Sequence, residues 1–175
     1  MSSTYDISNM FEVTGVFVSG AIVYICDTGN NRISRLKLAG LAMLDSYDMA
    51  ADDRPLAILV QGTRCYVLVS RGTGGITTRV DLWIFNLGAL DTAPMTFWKT
   101  VTISSLGIFG GGNPPRVGGL YLQYAGSYII AGCFIGRSLY PTVMDSKVIK
   151  LDLDGNIIST TALPSGDLLY GMAIG

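Results

Sequence analysis

Two apolar runs near the start of the chain are joined by a polar turn, in the stretch Val23-Tyr24-Ile25-Cys26-Asp27-Thr28-Gly29-Asn30-Asn31-Arg32-Ile33. The β-branched and aromatic residues on both sides favour strands, and Gly29, Asn30 and Asn31 tolerate the backbone geometry of a tight connection. Asp27 can accept backbone N–H bonds within the turn, and Arg32 can reach Asp27 with its forked guanidinium. The stretch therefore predicts two antiparallel strands, with Asp27, Asn31 and Arg32 as a structural motif of the turn.

The same rhythm of short strands extends along the chain. No long stretch places apolar residues at helical spacing, whereas short β-branched and aromatic runs alternate with Gly, Asn, Asp and Pro. Groups of four runs recur, each with a glycine between its first two runs, and the fourth run of the first group is expected from Leu41 to Tyr47. This pattern predicts an all-β, β-propeller-type fold of about three four-stranded antiparallel blades plus an extra strand, in an incomplete ring. Residues 1–175 are expected to form a single partial propeller domain with the approximate blades 11–47, 55–103 and 117–161 and the extra strand 168–175.

The stretch at 23–33 is similar to the core motif of NHL repeats, which are propeller blades whose second turn typically reads Val-Ala-Asp-Thr-Gly-Asn-Asn-Arg-Ile. The match covers the first predicted blade, and the other two keep the strand rhythm without the Asp-Thr-Gly-Asn-Asn-Arg string. The resemblance implies a propeller whose relatives include protein-binding modules, RNA-binding modules and a lyase with His-liganded zinc. Because this sequence has no histidine, the lyase precedent does not apply.

Composition excludes further classes of function. The absence of histidine rules out Ser-His-Asp and Cys-His catalysis and His-liganded zinc within the chain. A net charge of −1, with 14% charged residues against about 25% in ordinary domains, removes the general attraction to nucleic acid and to anionic membranes. Cys26, Cys65 and Cys133 are odd in number and lack Cys-x-x-Cys spacing, which favours buried thiols. We therefore expect no cofactor, no metal, no nucleic-acid partner and no catalytic residue.

Neither a signal peptide nor a transmembrane segment is expected. The first seven residues lack both a basic and an apolar region, which argues against a secretory signal and favours cytoplasmic synthesis. Residues 117–136 form an uncharged stretch long enough to span a bilayer. However, that stretch contains four glycines and alternating apolar residues, so it predicts two strands joined at Ala125-Gly126 and no membrane insertion.

An incomplete ring has exposed strand edges that pair readily with another chain. Three blades and one strand are therefore expected either to complete a ring by homo-oligomerisation, most simply as a dimer with about six blades, or to belong to a longer chain. The function that this favours is a non-enzymatic structural or protein-interaction subunit of a larger assembly, of which a virus-particle surface or decoration protein is one example.

Loop lengths indicate an interaction surface on one side of the predicted blades. The connections between second and third strands, and between successive blades, lie on the same side because consecutive strands reverse direction. These connections lengthen along the chain, and loops on a rigid scaffold often carry binding residues. The candidate binding residues on this side are Arg71, Arg116, Arg137 and Tyr140.

Other motifs carry weaker signals. Asp152-Leu153-Asp154-Gly155-Asn156 lacks the remaining ligands of a calcium loop and is interpreted as a hairpin turn. Asp52-Asp53 is assigned to a solvated loop. A carbohydrate-binding propeller using Trp83, Trp98 or Tyr121 is the alternative function, although alternation along its strand favours Trp83 as a core residue. A His-independent hydrolase or lyase acting through carboxylates is the third.

Overall fold

The computed structural model describes residues 10–73, 76–88, 93–105, 115–137 and 145–162. Within them the chain is almost entirely β-structure, with a short 3-10 turn at Thr28–Asn30. The strands in chain order are β1 (Val13–Ser19), β2 (Ile22–Asp27), β3 (Arg32–Lys37), β4 (Met43–Asp48), β5 (Asp53–Gln61), β6 (Arg64–Thr73), β7 (Ile76–Asn86), β8 (Thr96–Ser105), β9 (Pro115–Ala125), β10 (Tyr128–Arg137), β11 (Asp145–Asp152) and β12 (Ile157–Ala162).

The strands form three antiparallel sheets of four, each ordered as in the sequence: β1 to β4 make blade 1, β5 to β8 make blade 2, and β9 to β12 make blade 3. The first strands of consecutive blades lie beside one another, β1 against β5 and β5 against β9. The three sheets therefore fan out from their first strands, with blade 2 between the other two. This is a β-propeller-type fold, and the described residues do not close a ring.

Alternation along each strand places apolar residues on both faces of a blade. Ile22, Tyr24 and Cys26 of β2 pack against blade 2, whereas Val23 and Ile25 lie on the opposite face of the sheet. Successive side chains of a strand point to opposite sides, so a blade between two neighbours needs an unbroken apolar run. The run from Cys65 to Val69 in β6 has this character, and each of its five residues is buried.

Two hydrophobic cores hold the blades together. The first lies between blades 1 and 2 and includes Tyr24, Val67, Trp83 and Phe85. The second lies between blades 2 and 3, with Leu59, Tyr66, Leu68, Val80, Leu82 and Ile84 on one side and Ile129, Ala131, Ile149 and Leu151 on the other. Each core seals one interface between blades, so the fold depends on contacts between sheets as much as on the sheets themselves.

Cys26 and Cys65 are unpaired buried thiols in the first core, as the sequence predicts. Burial raises the pKa of the Cys26 thiol well above its usual value, and burial likewise raises the pKa of Cys65. Both therefore stay protonated at neutral pH and behave as small apolar side chains. The side chain of Cys133 lies outside the described residues.

The turns between the first two strands of each blade contain the glycines that the sequence places there. Gly20, Gly62 and Gly126 have φ angles of 57°, 58° and 63°, in the left-handed region that glycine enters without strain. The 117–136 stretch forms the strands β9 and β10 around Gly126, which confirms the strand interpretation. No described helix is long and apolar enough to cross a membrane.

The predicted start of the fourth strand at Leu41 is wrong by two residues. Leu41 itself has a φ of 49°, and the Lys37 N–H donates to the Ala42 carbonyl at 2.8 Å. The turn therefore continues through Ala42, and β4 begins at Met43. The extra strand predicted at 168–175 lies outside the described residues.

The connection from 152 to 156 is a hairpin turn, as predicted. The Asp152 carboxylate accepts hydrogen bonds from the Asn156 side chain at 2.8 Å and from the backbone N–H groups of Asn156 and Asp154 at 2.7 and 3.0 Å. The Asn156 side-chain bond is the main reason that the pKa of Asp152 is lowered. The carboxylate thus organises the turn itself.

The second core generates a stability prediction. Ile149 of blade 3 is buried against blade 2, while Ile158 on the outer strand of blade 3 is 50% exposed. We expect Ile149→Ala to lower the free energy of unfolding by about 2–5 kcal/mol, because it leaves a cavity between two blades. The matched change Ile158→Ala should cost less than about 1 kcal/mol. Urea unfolding of both variants measures the difference, and equal losses would contradict the assigned interface.

Candidate functional site

The connections between second and third strands lie at the same end of the blades as the starts of β5 and β9. Strand register shows this directly, since Asp53 pairs with Arg71 in blade 2 and Arg116 pairs with Gly136 in blade 3. We call this end the loop face. It corresponds to the side that the sequence indicates as an interaction surface.

In blade 1 the loop face is organised around the carboxylate of Asp27, the last residue of β2, which is fully buried. It accepts hydrogen bonds from the Phe11 N–H at 2.9 Å, from the Asn30 amide at 3.0 and 2.9 Å, and from the Arg32 Nε at 2.6 Å. The contact predicted between Arg32 and Asp27 is therefore present. A buried carboxylate is destabilising unless it is paired with a cation and hydrogen-bonded, and these donors provide both kinds of contact.

The glycine and asparagines of the turn have specific backbone tasks. The Gly29 N–H donates to the Phe11 carbonyl at 2.7 Å, and a Cβ at Gly29 would lie only 2.0 Å from the Phe11 ring. Asn31 adopts a left-handed conformation with φ of 51° and ψ of 45°. The turn thus fixes the segment before β1 against blade 1, which gives the whole motif a folding role.

Thr28 extends the same turn to blade 2. Its hydroxyl donates to the Pro55 carbonyl at 2.5 Å and lies 2.6 Å from the Thr14 hydroxyl, which itself reaches Pro55 at 3.3 Å. Two threonines of blade 1 therefore share one carbonyl of blade 2. This network sets the spacing of the first two blades at the loop face.

In blade 2 the loop face contains a second buried charge cluster. The Arg71 Nε donates to Asp53 at 2.7 Å, its Nη1 lies 3.5 Å from Asp81, and the Arg79 Nε donates to Asp81 at 2.9 Å. Asp53 and Asp81 are both buried, and the hydrogen bond to Asp53 is the main reason that the pKa of Arg71 is raised. The guanidinium of Arg71 also lies 5.3 Å from the centre of the Trp83 ring. Arg71 is thus held by two carboxylates and an aromatic ring.

Asp53 corrects one interpretation of the sequence. Asp52-Asp53 is assigned there to a solvated loop, but Asp53 begins β5 and is only 4% exposed. It is buried because Arg71 lies directly opposite on β6. Asp81 and Arg79 are not among the site residues that the sequence indicates, although their charges two positions apart within an apolar strand are a usable signal.

The remaining candidate residues lie in or near blade 3. Arg116 is on β9 and Arg137 ends β10, at neighbouring positions on paired strands of the loop face. Their side chains lie outside the described part of the structure, as does Tyr140 entirely. The backbone therefore brings Arg116 and Arg137 together and places Arg71 on the same end of blade 2.

The aromatic residues considered for sugar binding do not form a platform among the described side chains. Trp83 packs in the core between blades 1 and 2, as predicted. Trp98 is 38% exposed, but the Arg64 guanidinium lies 3.6 Å from the centre of its ring. Across the described ranges, no three His, Cys, Asp or Glu side chains are grouped as a metal site requires.

Two blade faces have no neighbouring blade among the described residues. We call the side of a blade toward the preceding blade its trailing face and the other side its leading face. On the trailing face of blade 1, Val16 and Val18 are 57% and 50% exposed. On the leading face of blade 3, Tyr128 is 39% exposed and the Lys150 ammonium lies 3.7 Å from the centre of its ring. Both faces therefore present apolar surface to solvent.

No protein-family model and no curated protein matches the chain. Solved structures do match in fold. The hydrazine synthase of Kuenenia stuttgartiensis has 17% identity and a TM-score of 0.55 over 86% of this chain and 37% of that one. The Cps50 (Swd1) β-propeller domain of Myceliophteria thermophila has 10% identity and a TM-score of 0.53 over 87% and 42%. The chain thus spans about two fifths of the length of these proteins, and they support the β-propeller fold alone.

The Asp27 cluster predicts a large loss on removal of its charge. Asp27→Asn would leave Arg32 without its carboxylate and set one amide against another, so we expect a loss of about 3 kcal/mol in unfolding free energy. Asp154→Asn is the control, because the Asp154 side chain is 69% exposed and should contribute little. Chemical denaturation compares the two, and a neutral Asp27→Asn would refute the folding role.

The blade 2 cluster predicts that Arg71 also contributes to stability. Arg71→Gln would leave buried Asp53 without its cation, and we expect a loss of about 1–3 kcal/mol. Arg54→Gln, at an exposed position beside Asp53 on β5, should stay within about 0.5 kcal/mol of wild type. Thermal and urea unfolding measure both. Unchanged stability of Arg71→Gln would instead favour a purely ligand-directed role.

Proposed function

We propose that this chain is a non-enzymatic protein-interaction subunit whose three blades form half of a six-bladed ring, completed by a second copy. We infer further that blade 1 is of the NHL type, on the sequence of its turn and the Asp27–Arg32 contact within it. The observation that carries the proposal is the exposed apolar surface at both ends of the three-bladed arc.

The trailing face of blade 1 is built like an interface between blades. Val16 pairs with Ile25 and Val18 pairs with Val23, so these four apolar residues share one face of the sheet. Val23 and Ile25 are buried and pack against the partly buried Met10 and Met43, whereas Val16 and Val18 on the innermost strand remain half exposed. In blades 2 and 3 the corresponding faces are covered by a preceding blade. The same face in blade 1 therefore fits a blade from another copy.

The leading face of blade 3 is the complementary surface. Ile129, Ala131, Ile149 and Leu151 face blade 2, so the alternate residues of β10 and β11 point away from it. Pairing this face with blade 1 of a second copy joins two different surfaces, and the reciprocal contact closes the ring. A single type of contact thus satisfies both open ends.

The loop face is our proposed surface for other subunits of a larger assembly. The connections that follow β8 and β10 are long, and both reach blade 3 at the end that carries Arg116 and Arg137. Arg71, Arg116, Arg137 and Tyr140 are the residues that we propose to contribute to it. Long connections at one end of a rigid sheet scaffold support such a role.

Light scattering coupled to size exclusion tests the proposal. Wild type should have about twice the monomer mass of 18.7 kDa at micromolar concentration. Val18→Asp should shift the mass toward the monomer, because it places a charge on the trailing face. Thr96→Asp, at an exposed position of the outer strand of blade 2 opposite Asn86, should leave the mass unchanged. A wild-type monomer up to about 100-micromolar concentration would contradict self-completion.

A further inference from the structure

The connection between the third and fourth strands of a blade, which we call the c–d turn, contacts the neighbouring blade. At the first interface, the Arg35 Nη2 of blade 1 donates to the carbonyl of Ala93 in the β7–β8 connection, at 2.7 Å. At the second, the Tyr66 hydroxyl of blade 2 donates to the carbonyl of Leu153 in the β11–β12 connection, at 2.6 Å. In both cases the c–d turn of one blade docks on the leading face of the preceding blade.

The docked turn of blade 3 approaches blade 2 very closely. Gly155 has a φ of 77° and is buried, and a Cβ there would lie 2.4 Å from Ile84 Cδ1 and 3.2 Å from Val101 Cγ2. Lys99 adds donors from blade 2 to the Asp154 carbonyl at 2.9 Å and to the Asn156 side chain at 3.1 Å. The docking therefore needs glycine at this position and hydrogen-bond donors around it.

The c–d turn of blade 1 is similar in sequence, but no other blade contacts it among the described residues. Leu38 and Gly40 repeat the spacing of Leu153 and Gly155, and Gly40 has the same φ of 77°. Unlike Gly155, Gly40 is exposed, and the neighbouring Leu38 and Leu41 are 48% and 40% exposed. This turn shares the leucine-to-glycine spacing and the left-handed glycine of the docked turn, and it is one residue longer before its fourth strand. Within the described residues, no preceding blade covers it.

The leading face of blade 3 offers the matching receptor. Equivalent positions can be found by counting from the glycine between the first two strands of each blade, which is Gly20, Gly62 or Gly126. The fourth residue after this glycine lies on the second strand and pairs with a residue of the third strand. That third-strand residue is Arg35 in blade 1, Ile84 in blade 2 and Lys150 in blade 3. Lys150 thus occupies the position from which Arg35 reaches the next blade. Its ammonium is a charged hydrogen-bond donor, and the carbonyls that a c–d turn presents are acceptors, so the two surfaces are complementary in hydrogen bonding.

The ion pair between blades 2 and 3 has uncharged residues at the equivalent positions of the two open faces. Arg64 Nη2 lies 3.9 Å from Asp154 between blades 2 and 3. The equivalent positions are Tyr128 in blade 3, two residues after its turn glycine, and Ala39 in blade 1, one residue before Gly40. Both are uncharged, which lets them meet in a desolvated contact.

We propose that the 38–41 turn of each copy docks on Tyr128 and Lys150 of a second copy, in the way that the c–d turns inside the chain dock on the preceding blade. Lys150 donates to a carbonyl of the turn, and Gly40 provides the close approach. The inference rests on the proposed function, because it names the contact through which two copies complete the ring. In this contact, the 38–41 turn of the second copy occupies the position that the c–d turn of a fourth blade would occupy.

Gly40→Asn is the first test, since asparagine tolerates the left-handed backbone but adds a side chain where the approach is closest. We expect it to raise the dissociation constant of the dimer by about a hundredfold, seen by light scattering over a dilution series. Gly62→Asn is the matched control, because Gly62 lies in the middle blade, has a φ of 58°, and a Cβ added there would meet no atom within 4 Å. It should leave dimerisation unchanged, and circular dichroism should show both variants folded.

A cross-linking test reports on the contact itself. In the double variant Ala39→Cys, Tyr128→Cys, a short bis-maleimide reagent should produce a covalent dimer, whereas each single variant and wild type should not. A wild-type dimer that Gly40→Asn leaves intact and that the double variant fails to cross-link would overturn this contact and leave self-completion standing. A wild-type monomer would overturn the proposed function and this inference with it.

Discussion

Every blade of this protein has two apolar faces, and the structure depends on covering both. Blade 2 meets the requirement fully, since Val67 faces one hydrophobic core and Leu68, its neighbour in the strand, faces the other. Side chains alternate along a strand, so a sheet of four cannot turn all of them inward by itself. The unit that can be stable is therefore the stack of blades, and the ends of the stack are its weak points.

The buried charges of the loop face follow from the same packing. Packing of the blades buries the strand ends at this face, including the side chains of Asp27, Asp53 and Asp81. A desolvated carboxylate requires a cation or several donors. Arg32 supplies this in blade 1, and Arg71 supplies it in blade 2. Arg71, which the sequence indicates as a ligand contact, is thus first of all a counterion of the fold.

The sequence predicts the parts of the structure that depend on local pattern. Period-two alternation and turn glycines are local, so the three sheets, the core position of Trp83 and the thiols of Cys26 and Cys65 follow from them. The Asp27–Arg32 contact spans five residues and is equally predictable. The Asp53–Arg71 pair spans 18 residues and depends on the register of β5 against β6, including an irregularity after Pro55. Periodicity assigns a face to each residue but does not fix that register.

The proposed pairing of two copies is consistent with the number of blades that propellers contain. Propellers close with about four to eight blades, and within that range only six is a multiple of three. The two copies that we propose would therefore satisfy both the closure limit and the two open faces, while three copies would exceed the limit. A contact between unlike faces can also propagate as a filament when its rotation does not close. Within the chain, the Arg35 and Tyr66 contacts each join a side-chain donor of one blade to a c–d turn carbonyl of the next. The proposed contact between copies repeats this arrangement, so one mode of docking, a side-chain donor to a c–d turn carbonyl, would serve all six interfaces of the proposed ring.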